Sequence, residues 1–115
     1  MEIFKSEFIL AERKYQTTQI KKQHPNRIPV FVCKKRNCKL DDIKKNKYLV
    51  PCDITVGQFM YILRKSISLK PDQGIFIFVD NILPPNGELM SSIYTKHADE
   101  DGFLYITFSH ESVFG

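Results

Sequence analysis

The residues of this chain with chemical reach are few. They are Cys33, Cys38 and Cys52, the histidines His24, His97 and His110, an acidic run Asp99-Glu100-Asp101-Gly102, and a glycine, Gly115, at the C-terminal end. The cysteines form no Cys-x-x-Cys pair, and a structural zinc site needs four ligands at tighter spacing than these scattered residues offer. They read as reduced thiols of a cytosolic protein. A catalytic cysteine would need a histidine partner, and sequence nominates none. The acidic run has the charge of a calcium loop without its alternating ligands or closing glutamate, so it reads as a solvated turn. Gly57 and Gly74 are isolated and build no phosphate loop. No catalytic residue, metal ligand or cofactor site is expected. Gly115 offers different chemistry: a carboxylate with no side chain beside it can pass through a narrow active site of another protein and be activated there.

The elements that must present such groups can be read from pattern. With 115 residues, 43% hydrophobic and 26% charged, the chain has enough residues for one core and too few for two. No stretch approaches the roughly 18 consecutive apolar residues of a membrane span. The start shows no secretory signal, and Glu2 excludes myristoylation. Residues 2–24 are expected as two helical pieces with an apolar stripe of Phe8, Ala11, Tyr15 and Thr18, ended by Pro25. Ile28–Lys34 and Tyr48–Cys52 read as strands, joined by a polar connection. A helix from Thr55 carries Phe59, Ile62, Leu63 and Ile67 on one face. The continuous apolar run Ile75–Val79 is expected as a buried central strand. Glu88–Lys96 reads as a short helix facing Leu89, Met90, Ile93 and Tyr94 inwards, Phe103–Phe108 as the last strand, and Ser109–Gly115 as a segment that packs poorly. The order is ββαβαβ after a helix pair, an α+β domain.

The junction before the long helix is the most specified part of the sequence. Thr55 and Gln58 have capping-box spacing, and Ile54 and Phe59 are placed to close a hydrophobic staple over the cap. Pro51, which has no N–H to donate, suits a strand end or a sheet edge. An exposed edge can be extended by a peptide.

Charge is unevenly distributed. Residues 1–47 hold 13 Lys/Arg against 5 Asp/Glu, and residues 48–115 hold 4 against 8. The basic half suits nucleic acid, anionic lipid or acidic peptide. A single-strand binder would interleave aromatic rings with its lysines, and the basic loop Lys34–Lys45 contains none. A basic nucleic-acid-binding domain is the alternative reading, along with a protein-interaction domain of another kind and a cysteine-dependent enzyme.

Lys47-Tyr48-Leu49-Val50-Pro51, Asp53 and Thr55-Val56-Gly57-Gln58-Phe59 closely resemble the signature of the autophagy-related protein 8 family, ubiquitin-like modifiers of the GABARAP and microtubule-associated protein light chain 3 type. The likeness extends through His24–Val30, Ile75–Val79, Leu83-Pro84-Pro85, Asp99–Tyr105 and Phe114-Gly115, covering almost the whole chain. It implies a ubiquitin-like β-grasp with two additional N-terminal helices: a helical extension at 1–24, a core at 25–108 and a flexible conjugation tail at 109–115. The resemblance also implies a modifier, itself no enzyme, whose Gly115 is joined by activating and conjugating enzymes to phosphatidylethanolamine. Such a protein is a cytoplasmic monomer until lipidation places it on autophagosome membranes, and it recruits cargo receptors through aromatic-x-x-aliphatic motifs with acidic flanks. By position, the aromatic pocket would be Gln16, Ile20, Pro29, Phe31, Lys47, Leu49 and Phe103. The aliphatic pocket would be Tyr48, Val50, Pro51, Ile54, Phe59 and Ile62, with Arg27, Lys45, Lys47 and Arg64 meeting the acidic flank. The chain departs from the family pattern at Gln16, usually acidic, at Phe31, usually a smaller aliphatic, at Ile9-Leu10-Ala11, and at Ser66.

Overall fold

The computed structural model describes residues 2–110 apart from positions 37, 41 and 68. Two helices, α1 (Glu2–Glu7) and α2 (Leu10–Gln23), precede β1 (Arg27–Lys34), β2 (Lys47–Pro51), α3 (Val56–Ile67), β3 (Phe76–Phe78), α4 (Met90–His97) and β4 (Leu104–Ser109). The four strands form one mixed sheet in the order β2-β1-β4-β3. β1 runs parallel to β4, while the β1–β2 and β3–β4 pairs are antiparallel. The helix pair followed by ββαβαβ is the order the sequence pattern predicts.

Strand alternation sorts side chains onto two faces. On one, Val30, Val32, Tyr48, Val50, Leu104, Ile106 and Phe108 meet Phe59 and Leu63 of α3 and Met90 and Ile93 of α4 in the main core. On the other, Phe31, Phe103 and Tyr105 form a smaller aromatic cluster with Phe4 of α1. The capping box at α3 is formed: the Thr55 N–H donates to Gln58 Oε1 at 2.8 Å and the Gln58 N–H to Thr55 Oγ1 at 3.2 Å. Ile54 packs against the core cluster that contains Phe59. The buried stripe of α3 is Val56, Phe59, Leu63 and Ile67; Ile62, expected on it, lies at its margin and is 41% exposed.

Besides Ile62, and Leu89, which was expected to face inwards and is 45% exposed, three sequence expectations are corrected. The run Ile75–Val79, buried except at Phe76, contributes the edge strand β3, not a central one. Ile75, Ile77 and Val79 enter the main core; on the other face Phe78 is buried with the Lys35 ammonium 3.9 Å from its ring centroid, while Phe76 is 37% exposed. Burial of Ile75, Ile77, Phe78 and Val79 needs no second strand neighbour. On α2, the predicted stripe is largely solvent-facing, with Tyr15 exposed, and the residues that bury are Arg13 and Thr17. The helix is held by polar contacts that hydrophobic periodicity cannot register.

Those contacts explain the third correction. The acidic run is no solvated turn, because the Asp101 side chain is wholly buried. Its Oδ2 accepts from Arg13 Nη1 at 2.8 Å and from the Tyr105 hydroxyl, and its Oδ1 accepts the Phe103 N–H at 2.8 Å. Thr17 Oγ1 donates to the Asp101 carbonyl at 2.6 Å. Gly102 follows at φ +92°, where a Cβ would lie 2.8 Å from the Thr17 Cβ, so both its backbone angle and the proximity of α2 require glycine. Tyr94 Oη donates to the Gly102 carbonyl at 2.7 Å, tying α4 to the same turn.

Asp99 makes a lesser version of this contact, accepting from Lys5 Nζ at 2.7 Å. Burial alone would raise its pKa, but the bonds from Lys5 and the Asp101 N–H outweigh it and hold the carboxyl below its ordinary value. A carboxylate depressed in the folded state contributes stability above its unfolded pKa of about 4, and that contribution disappears as pH falls through the lower folded value. Asp99→Asn should therefore cost about 1 kcal/mol or less at neutral pH, and the deficit should shrink in acid. Asp101→Asn should cost several times as much, because it leaves Arg13 without its buried partner. Urea denaturation of both variants checks the ordering; equal losses would contradict it.

Candidate functional site

β2 lies at the free edge of the sheet, opposite the β3 edge. Its pairing with β1 runs Ile28↔Val50, Pro29↔Leu49, Val30↔Tyr48 and Phe31↔Lys47. Beyond the two ends of this ladder the Val32 N–H donates to the Asn46 carbonyl and the Cys52 N–H to the Asn26 carbonyl. Hydrogen-bonded pairs alternate with non-bonded ones in an antiparallel ladder, so Tyr48 and Val50 exchange bonds with β1. Lys47 and Leu49 instead direct their N–H and C=O groups away from it. The same alternation explains why Pro29 is tolerated inside β1, since its missing N–H is not asked for by β2 and pairing with β4 begins at Val30. Arg27 Nη1 rests on the outward Leu49 carbonyl at 3.2 Å.

Side chains flank this edge on both faces. Toward the N-terminal helices, Leu49 is 37% exposed in front of Pro29, which is buried, as are Phe31 and Phe103. Gln16 and the half-buried Ile20 come from α2. Lys47 Nζ donates to Gln16 Oε1 at 3.0 Å, bridging strand and helix, and lies 4.8 Å from the Phe4 ring centroid. Toward α3, Tyr48 and Val50 are buried and Phe59 is fully so, with Ile54 half-buried and Ile62 exposed beside them, while Pro51, half-buried at the end of β2, has the parity of Lys47 and Leu49. The Tyr48 ring stands edge-on to Phe59 at 6.0 Å, and its hydroxyl is buried with no hydrogen-bond partner among the described residues.

The fold thus gathers the aromatic-side residues along one face of β2 and the aliphatic-side residues other than Pro51 along the other; Pro51 sits at the strand end. Of the cations assigned to the acidic flank, Arg27 and Lys47 lie on the edge itself, and Lys45 precedes it with its ammonium 5.0 Å from the Tyr48 ring centroid. Arg64 stands on α3 and lines a separate hollow with Tyr61, Lys65 and Leu69. Phe4 was missed from sequence: it stacks on Phe31 at 4.5 Å and meets Phe103 edge-on at 5.5 Å. The spacing of Phe4 and Phe8, whose rings are 5.4 Å apart, was the available signal. Gly115 lies outside the described residues. The Cys38 sulfur lies 3.4 Å from His110 Nδ1, a neighbour that spacing could not supply.

The model of the Atg8 family, described as autophagy protein Atg8, ubiquitin-like, matches residues 12–115. The chain belongs to the Atg8 family. It is a ubiquitin-like modifier of autophagy. It is 54% identical over 113 residues to autophagy-related protein 8e of Arabidopsis thaliana, covering 98% of this chain and 93% of that one. Over 112 residues it is 52% identical to autophagy-related protein 8 of Schizosaccharomyces pombe, covering 97% and 93%. In three dimensions it resembles Atg8 of Trypanosoma brucei, with a TM-score of 0.91 at 35% identity and 97% of both chains covered. Plasmodium falciparum Atg8, solved in complex with a peptide of Plasmodium falciparum Atg3, gives a TM-score of 0.89 at 37% identity, covering 96% of this chain and 98% of that one.

For this Atg8-family edge, the register makes a direct prediction about the free protein. The Tyr48 and Val50 amides should exchange with solvent slowly, and those of Lys47 and Leu49 far faster, in a two-residue alternation readable by NMR. Uniform protection across all four would mean that the edge is already covered.

Proposed function

We propose that this chain is joined through the Gly115 carboxylate to phosphatidylethanolamine and then recruits partner proteins by adding their acidic aromatic-x-x-aliphatic segments to β2. The observation that carries the recruitment reading is the outward backbone of Lys47 and Leu49, flanked on each face by apolar side chains. An extended peptide would satisfy those N–H and C=O groups, and its aromatic and aliphatic side chains, three positions apart, would turn to opposite faces of the sheet. The aromatic residue fits the side of Leu49, Pro29 and Ile20, and the aliphatic residue the side of Ile62, Ile54 and Pro51. Phe31 and Phe103 back the first pocket from beneath, and Tyr48, Val50 and Phe59 the second. Docking requires Arg27 to leave the Leu49 carbonyl, and an acidic flank gives Arg27, Lys45 and Lys47 a carboxylate in exchange.

The conjugation reading is supported by family membership and by the terminal Phe114-Gly115. In it the chain is a substrate, not a catalyst. The Gly115 carboxylate is adenylated by ATP with loss of pyrophosphate, passes with loss of AMP to a cysteine of the activating enzyme and by thioester exchange to one of the conjugating enzyme, and forms an amide with the lipid amine as that thiol departs. The Atg3-peptide complex of the Plasmodium relative supports a conjugating enzyme as a partner here. Among the described residues no helix is long and apolar enough to cross a membrane, and the lipid would supply the anchor that takes the protein from the cytoplasm to the autophagosome.

Leu49→Ala should weaken an acidic aromatic-x-x-aliphatic peptide by about 1–3 kcal/mol at any salt concentration, as loss of a buried aliphatic contact does. Lys47→Ala should matter chiefly at low salt, because a rim charge acts through solvent. Titration calorimetry at two ionic strengths reads both; unchanged affinity in Leu49→Ala would place the binding surface elsewhere. Separately, deletion of Gly115 should abolish the lipid adduct in a reconstitution with liposomes while leaving the fold intact, and mass spectrometry locating lipid on a cysteine would overturn the assignment.

A further inference from the structure

Parallel pairing of β1 and β4 sends the C-terminal ends of both strands to the same side of the sheet, with Lys34 opposite Phe108 and the Lys35 N–H on the Phe108 carbonyl at 2.8 Å. The start of antiparallel β2 lies at this side as well. The topology therefore collects Lys34, Lys35, Arg36, Lys39, Lys44 and Lys45 around the point where β4 ends. Arg36, Lys39, Lys44 and Lys45 are exposed there. Among the described residues, the acids facing them are Glu7 and Asp42, which with Lys34, Lys35, Arg36 and Lys45 line an open hollow of 800 Å³. A second hollow of 380 Å³ continues it toward Thr107 and Asn81. Ile3, 73% exposed, borders both.

We propose that this cationic end of the domain docks on a bilayer surface bearing anionic lipid headgroups, with Ile3 at its margin as an apolar contact. The inference rests on the reading of Gly115 as the lipid-bearing residue. From Ser109 to Gly115 the chain can span at most about 20 Å, so a lipid on Gly115 brings the end of β4 to the membrane. The surface around that end carries an excess of positive charge over a span comparable with the Debye length, about 8 Å at physiological ionic strength. Anionic headgroups complement it and would fix the orientation of the anchored domain, leaving β2 accessible from the side.

The test uses the full, unconjugated chain and vesicles of phosphatidylcholine with or without phosphatidylserine, so that no conjugation step is involved. Sedimentation should show binding to the anionic vesicles, weakening with added salt, and little to the neutral ones. Attraction per cation near such a surface is worth about fivefold in affinity. Arg36→Gln, Lys39→Gln and Lys44→Gln together should therefore weaken binding on the order of a hundredfold. The charge-matched triple Lys14→Gln, Lys65→Gln and Lys70→Gln should weaken it far less. Equal losses in the two triples, equal binding to neutral vesicles, or capture of acidic peptides but not vesicles by this end would each overturn the proposal. Failure of Gly115 conjugation alongside specific binding to anionic vesicles would count against the conjugation reading alone.

Discussion

The Asp101 carboxylate sits where water does not reach and accepts hydrogen bonds from Arg13, Tyr105 and the Phe103 backbone. A buried anion is tolerable only when its charge and lone pairs are met, so the groups that meet it are fixed relative to one another. Arg13 and Thr17 belong to α2, Phe103 and Tyr105 to β4 and its approach, and Tyr94, bound to the next carbonyl, to α4. The turn at Asp101-Gly102 is therefore where the N-terminal helices are fastened to the ubiquitin-like core. Tyr105 is drawn into the same network: burial first, then the bond to Asp101 and its charge, push the phenol well above its ordinary value, and it remains a proton donor.

The candidate groove inherits its geometry from this fastening. Gln16, next in sequence to Thr17, reaches Lys47 across the space between α2 and β2, so the position of α2 sets the width of the aromatic-side pocket. Lys47 in turn lies over the rings of Phe4 and Phe8, linking α1 to the edge strand. On the other face the capping box holds the start of α3 directly after β2, which places Ile54, Phe59 and Ile62 beside Tyr48 and Val50. A peptide hydrogen bond formed in water gains little net energy, about 0.5–1.5 kcal/mol. The discrimination between partners must come from these flanking side chains.

Features carried by local chemistry were legible in the sequence. Thr55 and Gln58 form the cap their spacing predicts, Pro51 closes an edge strand, and the element order was recovered throughout. What escaped was polar burial over long separation. Nothing in a helical wheel says that Arg13 and Thr17 face inwards, because their partner lies more than eighty residues away. An acidic run followed by glycine looks the same in sequence whether solvated or buried. The edge position of β3 was hidden for a related reason, since the Phe78 ring meets the Lys35 ammonium and not a further strand. At the candidate site, pattern identified the strand and its alternation, and the residue positions came from family resemblance. The closure of the aromatic cluster by Phe4 required the path of α1, which six helical residues do not specify by periodicity.

The central claim is that β2, and not the opposite edge at β3, accepts an added strand. Intermolecular nuclear Overhauser contacts between the chain and an acidic aromatic-x-x-aliphatic peptide test it most directly. The account predicts contacts from the peptide backbone to Lys47, Tyr48 and Leu49, with its aromatic ring near Pro29 and Leu49. Contacts running along Phe76–Phe78 instead would contradict it.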